Sequence, residues 1–146
     1  MKLEFQLETE IKRPVQEVVR LFSDRSQYMK WQPGLLSSDL VTEHPYRTYD
    51  LLLQFGRRKM KMKETILENQ LPTSYKVRYQ TKGVVNDIHI TFEPISPSTT
   101  RYISRESFRF KGLMIIVAGF MKEGFKKQSS IIMNNFKQYA EKARPH

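Results

Sequence analysis

The chain has 146 residues, a formal net charge of +10, 39% hydrophobic and 27% charged residues, and no cysteine. That balance describes a folded chain with a sizeable core and excludes disulfides, thiolate metal sites and cysteine nucleophiles. No stretch approaches the roughly 20 apolar residues that cross a bilayer, and the opening MKLEFQLETE lacks the apolar core of a signal peptide, so a cytoplasmic protein is expected.

From the N-terminus, Lys2 to Glu10 alternates apolar and charged residues, which predicts a half-buried strand. Pro14 suits a first helical turn, and Val15, Val18, Val19 and Phe22 form the apolar stripe of a short helix. Ser23 or Asp24 caps a second short helix reaching about Lys30, and Trp31-Gln32-Pro33-Gly34 forms a turn.

Six strands follow. They cover Leu35 to His44, Tyr49 to Phe55, Lys59 to Glu64, Tyr75 to Gln80, Val84 to Phe92 and Arg101 to Phe110. Turns fall at Gly56, Asn69 to Pro72 and Lys82-Gly83, with a loop from Pro94 to Ser98. Such short connections predict an antiparallel sheet. Lys59, Lys61 and Lys63 alternate with Met60, Met62 and Glu64, so this basic run is the solvent side of a strand. The other lysines are scattered. The basic balance therefore reads as a solvated surface, with no nucleic-acid partner expected and a transient membrane-surface contact left open.

Gly112 to Arg144 contains no proline, and its apolar residues recur at helical spacing: Leu113, Ile116, Val117, Phe120, Met121, Phe125, Ile132, Phe136 and Tyr139. This predicts a helix of roughly 45–50 Å at about 1.5 Å per residue, ended by Pro145. The fold class expected is α+β: a curved seven-stranded antiparallel sheet gripping the long C-terminal helix, as one domain over 1–146. Gly112, Gly119 and Gly124 predict close packing, a kink or a hinge. The nearly all-apolar run from Leu113 to Met121 suggests a mobile, membrane-touching or dimerising surface, and a monomer and a homodimer both remain open.

Certain residues reinforce this order: Ile11-Lys12-Arg13-Pro14-Val15-Gln16-Glu17-Val18, Phe22-Ser23-Asp24, Lys30-Trp31-Gln32-Pro33-Gly34 and Phe136-Lys137-Gln138-Tyr139-Ala140-Glu141. In them the whole chain resembles the START/Bet v 1-like superfamily, nearest its bacterial polyketide cyclase/dehydrase-like and lipid-transport-like branch. The resemblance implies a helix-grip fold with a cavity between sheet and helix, holding a small hydrophobic molecule or lipid. It carries no shared catalytic motif, so site residues follow from side-chain direction alone.

By alternation the concave face presents Tyr49, Met60, Met62, Glu64, Tyr75, Tyr79, Asn86 and Glu106, opposite Phe120, Met121 and Phe125 of the helix. Methionines and aromatics suit an adaptable apolar pocket, although a filled core uses the same residues. Glu64 and Glu106 interrupt apolar faces, and a buried carboxylate needs a partner. Each is expected to anchor a ligand's polar group, to act as a general base, or to reach solvent or an arginine through a twist of its strand. The tyrosine hydroxyls and Asn86 would orient a ligand or be satisfied within the sheet. His44, His89 and His146 lack metal-ligand spacing, so no metal and no cofactor are expected. Three functions fit: binding of an apolar ligand, a cyclase/dehydratase-type reaction in the same cavity, or an interaction or regulatory role through the basic outer face.

Overall fold

Alternating side chains set the sheet, and short turns set its order. The computed structural model describes residues 2–144. Strand β1 spans Lys2–Ile11, β2 Leu35–Thr42, β3 Arg47–Phe55, β4 Arg58–Gln70, β5 Ser74–Thr81, β6 Val84–Ser96 and β7 Thr99–Phe110. They form one antiparallel seven-stranded sheet in the order β1-β7-β6-β5-β4-β3-β2. Consecutive strands from β2 to β7 pair as hairpins, and β1 closes onto β7 with Phe5 opposite Glu106.

Bulges bend the sheet at Leu35/Ser37, Leu40/Thr42, Ile66/Glu68 and Pro94/Ser96. Two of them explain why strands run past their expected ends. β4 bends at Leu67 and continues to Gln70, and β6 absorbs Pro94, which lacks a ladder donor, at its own bulge.

Helix α1 (Val15–Ser23) buries Val18, Leu21 and Phe22. The expected second helix is a short 3-10 helix, Arg25–Lys30, and the Asp24 side chain accepts from Ser26 N at its start. Phe22 stands at the centre of an aromatic cluster. It stacks on Trp31 at 5.7 Å and meets Tyr75, Phe92 and Phe136 edge-on. Trp31 is buried as a packing residue at this end of the grip.

Helix α2 (Met114–Lys142) lies along β1 and β7 and touches α1. Arg13 secures its C-terminal end, donating to the carbonyls of Ala140 at 3.0 Å, Glu141 at 2.7 Å and Ala143 at 2.6 Å. Those carbonyls have no partner within a helix, and a guanidinium suits the negative end of the helix dipole. Pro145, expected to stop the helix, and His146 lie outside the described residues.

One expectation is corrected. The apolar stripe of α2 does not form one continuous inward face. Met121 has non-helical dihedrals (φ −119°, ψ 21°) and kinks the helix. After the kink, Met133, Phe136 and Ala140 are buried; before it, Leu113, Ile116, Val117 and Phe120 point to solvent, and Ala118 takes the buried position. A helical count through a straight rod cannot register a break in the middle. A Cβ on Gly119 would meet nothing within 4 Å, so close packing does not explain this glycine beside the kink.

Candidate functional site

The concave face is apolar at both ends and polar across its middle. At one end lies the cluster of Phe22, Trp31, Phe92 and Phe136. At the other, Phe108 and Phe110 pack with Phe125, at centroid distances of 5.1 and 5.2 Å, and with Ala118. Along β7 the inward residues run Tyr102, Ser104, Glu106, Phe108, Phe110, which puts Glu106 between the two clusters.

Register assembles the polar belt. Tyr49 pairs with Glu64, Glu64 with Tyr79, and Tyr79 with Asn86, so one cross-strand row joins β3, β4, β5 and β6. Asn86 then reaches β7, its Nδ2 donating to the Ser107 carbonyl at 3.2 Å and lying 3.5 Å from Glu106 Oε1.

The two carboxylates have different surroundings. Glu64 is 2% exposed, and both of its oxygens are engaged. Arg25 donates to Oε1 at 2.6 Å and the Tyr79 hydroxyl to Oε2 at 2.7 Å. Arg25 also donates to Ser38 Oγ, and its guanidinium lies 3.5 Å from the centroid of the Tyr49 ring and 4.7 Å from that of Tyr28. Burial pushes the Tyr79 hydroxyl well above its usual range, and the adjacent Glu64 adds to that, so Tyr79 stays a donor. Glu64 is thus one half of a paired, hydrogen-bonded unit.

Glu106 has no cationic partner among the described residues. Ser129 of α2 donates to its Oε1 at 3.0 Å, the same oxygen that faces Asn86. Among the described residues both donors meet Oε1, and none meets Oε2. Burial raises this carboxyl to about 7, against the smaller lowering effects of Ser129 and Asn86. A group with that pKa accepts or donates a proton near neutrality.

The other expected residues divide by exposure. Met60, Met62, Tyr79 and Asn86 are half-buried on the concave face, with Leu53 and Ile88 beside them. Tyr75 is buried in the aromatic cluster, and Phe125 belongs to the second cluster. Phe120 is 88% exposed and Met121 52% exposed, so neither faces the sheet; the kink turns this part of α2 outward. Residue-by-residue reading missed Arg25, Ser38 and Ser129. The one available signal was Glu64 itself, because a buried carboxylate calls for a cation and Arg25 stands in the segment that closes over that end of the sheet.

Among the described residues, the open concavities include two away from this face. One, of about 620 Å³, is on the solvent side of the sheet among Lys76, Arg78, Asp87, His89 and Arg105. The other, of about 460 Å³, is at the end of α2 beside Lys30 and Tyr139. Among the described residues no group of three or more acidic or histidine side chains is placed to hold a metal ion.

Residues 2–141 match the family described as "Polyketide cyclase / dehydrase and lipid transport". The chain belongs to that family. Its fold is the helix-grip fold of the START/Bet v 1-like superfamily, and solved structures agree. A conserved protein from Geobacillus kaustophilus is 23% identical, with a TM-score of 0.77 over 97% of this chain and 96% of that one. The Zhui aromatase/cyclase from Streptomyces sp. R1128 is 10% identical, with a TM-score of 0.82 over 97% and 94%. Norcoclaurine synthase from Thalictrum flavum, solved in complex with dopamine and hydroxybenzaldehyde, is 11% identical, with a TM-score of 0.74 over 100% and 90%. At these identities the likeness is one of fold. No curated protein matches the sequence at a significant level.

Proposed function

We propose that this chain, acting as a single domain, binds a small hydrophobic molecule or lipid in the groove between the sheet and α2. The ligand has an apolar body and one hydrogen-bonding end. The observation that carries this reading is the placement of Glu106: buried, set between two apolar clusters and, among the described residues, without a cation and with one carboxyl oxygen free. A carboxyl there is costly to desolvate and is offset best by a ligand donor or by its own proton. Met60, Met62 and Leu53 line the same concave face and suit an apolar body of variable shape. Arg25, Glu64 and Tyr79 serve as a fixed polar wall.

The test is native mass spectrometry of the purified protein with organic extraction of the same sample. A co-purifying apolar molecule with a hydroxyl, carbonyl or acid end supports the reading. A clean apo mass, together with no retention of added fatty acids or polycyclic phenols, removes it.

A second reading is favoured by the seat of Glu106, buried between two apolar clusters where burial raises its carboxyl to about 7. In it, Glu106 takes a proton from carbon next to a ligand carbonyl, as a cyclase/dehydratase-type reaction on an apolar substrate requires, and returns it to the departing hydroxyl as water leaves. Glu106→Gln, which has no basic carboxylate, would abolish turnover of an apolar β-hydroxyketone. Unchanged turnover in that variant removes the enzyme reading and leaves binding untouched.

A further inference from the structure

The first half of α2 carries an apolar face that the described residues leave uncovered. Leu113, Ile116, Val117 and Phe120 fall at i, i+3, i+4 and i+7, so they form one stripe on a helix. They are 83%, 61%, 36% and 88% exposed, while Ala118 on the other side is 1% exposed. The stripe is therefore held outward by the fold, with the small residue seated on Phe108 and Phe110.

Charge says what this stripe fits. Lys111 precedes it and Lys122, Lys126 and Lys127 follow it, all exposed, with Glu123 the sole acid from Gly112 to Lys127. Register brings more positive charge to the same end of the sheet. The β5–β6 turn with Lys82 meets the start of α2, where Lys111 N donates to the Gly83 carbonyl at 2.9 Å. The β3–β4 hairpin turns at this end too, with exposed Arg57 and Arg58 and a 43% exposed Phe55.

We infer that this face docks on an anionic lipid bilayer. The helix lies in the interface with Phe120 and Ile116 among the acyl chains and the lysines on headgroup phosphates. No helix among the described residues is long and apolar enough to cross a membrane, so α2 lies on the surface rather than across it. A second copy of the chain is the poorer partner. A symmetric contact through this stripe would set one lysine-flanked face against another in a protein of net charge +10. An anionic surface neutralises the same charges. The docking face lies on the opposite side of α2 from Ala118 and the concave face of the sheet, so vesicle binding and ligand binding are separate readouts.

The experiment is co-sedimentation with vesicles of phosphatidylcholine alone and of phosphatidylcholine mixed with phosphatidylglycerol, at physiological ionic strength. The wild-type chain should sediment with the mixed vesicles and not with the neutral ones. Phe120→Ser should weaken that partitioning about tenfold or more, with an unchanged thermal midpoint because the side chain touches solvent. In Phe120→Trp, vesicles should shift the emission of the new indole to the blue, against the buried Trp31 as background. Three results overturn the proposal: no binding to either vesicle, binding that Phe120→Ser leaves unchanged, or a solution dimer that Phe120→Ser converts to monomer.

Discussion

Tyr79 faces Glu64 across β5 and β4 and donates its hydroxyl to Glu64 Oε2 at 2.7 Å, while Arg25 holds the other oxygen at 2.6 Å. The three side chains form a closed unit inside the grip. Arg25→Met should strand the Glu64 carboxylate in a site that is 2% exposed and cost about 3–5 kcal/mol. The double variant Arg25→Met/Glu64→Leu should regain most of that. Chemical denaturation of the wild type, both single variants and the double variant measures the coupling.

Glu106 should make stability fall as pH rises. Its carboxyl moves from an ordinary 4.5 in the unfolded chain up to about 7 in the folded one. Between those values the folded state binds more protons, so unfolding becomes easier on going from about pH 4.5 to pH 7. The loss from this group is about 2–3 kcal/mol. Glu106→Gln cannot ionise and still accepts from Ser129, so it should flatten that slope and be the more stable protein at pH 8. Urea midpoints across this pH range check it; an unchanged slope means that the carboxyl titrates normally.

The two phenylalanines of α2 should respond differently. Phe136 is 0% exposed and touches Phe22, Trp31 and Tyr102, so Phe136→Ala should cost about 3–5 kcal/mol. Phe120 is 88% exposed, and Phe120→Ala should stay within about 0.5 kcal/mol. A large loss at Phe120 would mean that the first half of α2 faces inward after all.

That pair also marks how far sequence could be read. Strict alternation gave away the strands, because a period of two is hard to mistake over a run such as Tyr49 to Phe55. The same alternation identified Tyr49, Glu64, Tyr79, Asn86 and Glu106 as inward-facing, and register then set the first four in one row. Helical periodicity located α2 but misplaced Phe120 and Met121. Apolar spacing reports a stripe and says nothing of which side the stripe meets. Glu64 called for an arginine but could not say which one, and nothing pointed to Ser129, because each partner acts on a strand far away in sequence, Arg25 on Glu64 and Ser129 on Glu106.

Arg13 is a positioning residue for the whole grip. It lies in the resemblance-bearing stretch Ile11 to Val18, and its guanidinium donates to three carbonyls at the end of α2. Arg13→Ala should destabilise the protein by about 2–3 kcal/mol. Arg13→Lys should rescue little, because an ammonium cannot span the fork of contacts. Hydrogen exchange at the last turns of α2 should rise in both variants; protection equal to wild type would show that this clamp is dispensable.

A ligand held between the sheet and α2 would touch the methionines of the concave face, and methionine methyl NMR reads that contact. The protein, labelled at its methionine methyls, is titrated with a neutral polycyclic phenol, 2-naphthol. Met60 and Met62 on the concave face should show saturable shifts, with Met29 and Met121 on the surface unmoved. Shifts confined to Met29 and Met121, or no saturable shift at all, would contradict a ligand in that groove.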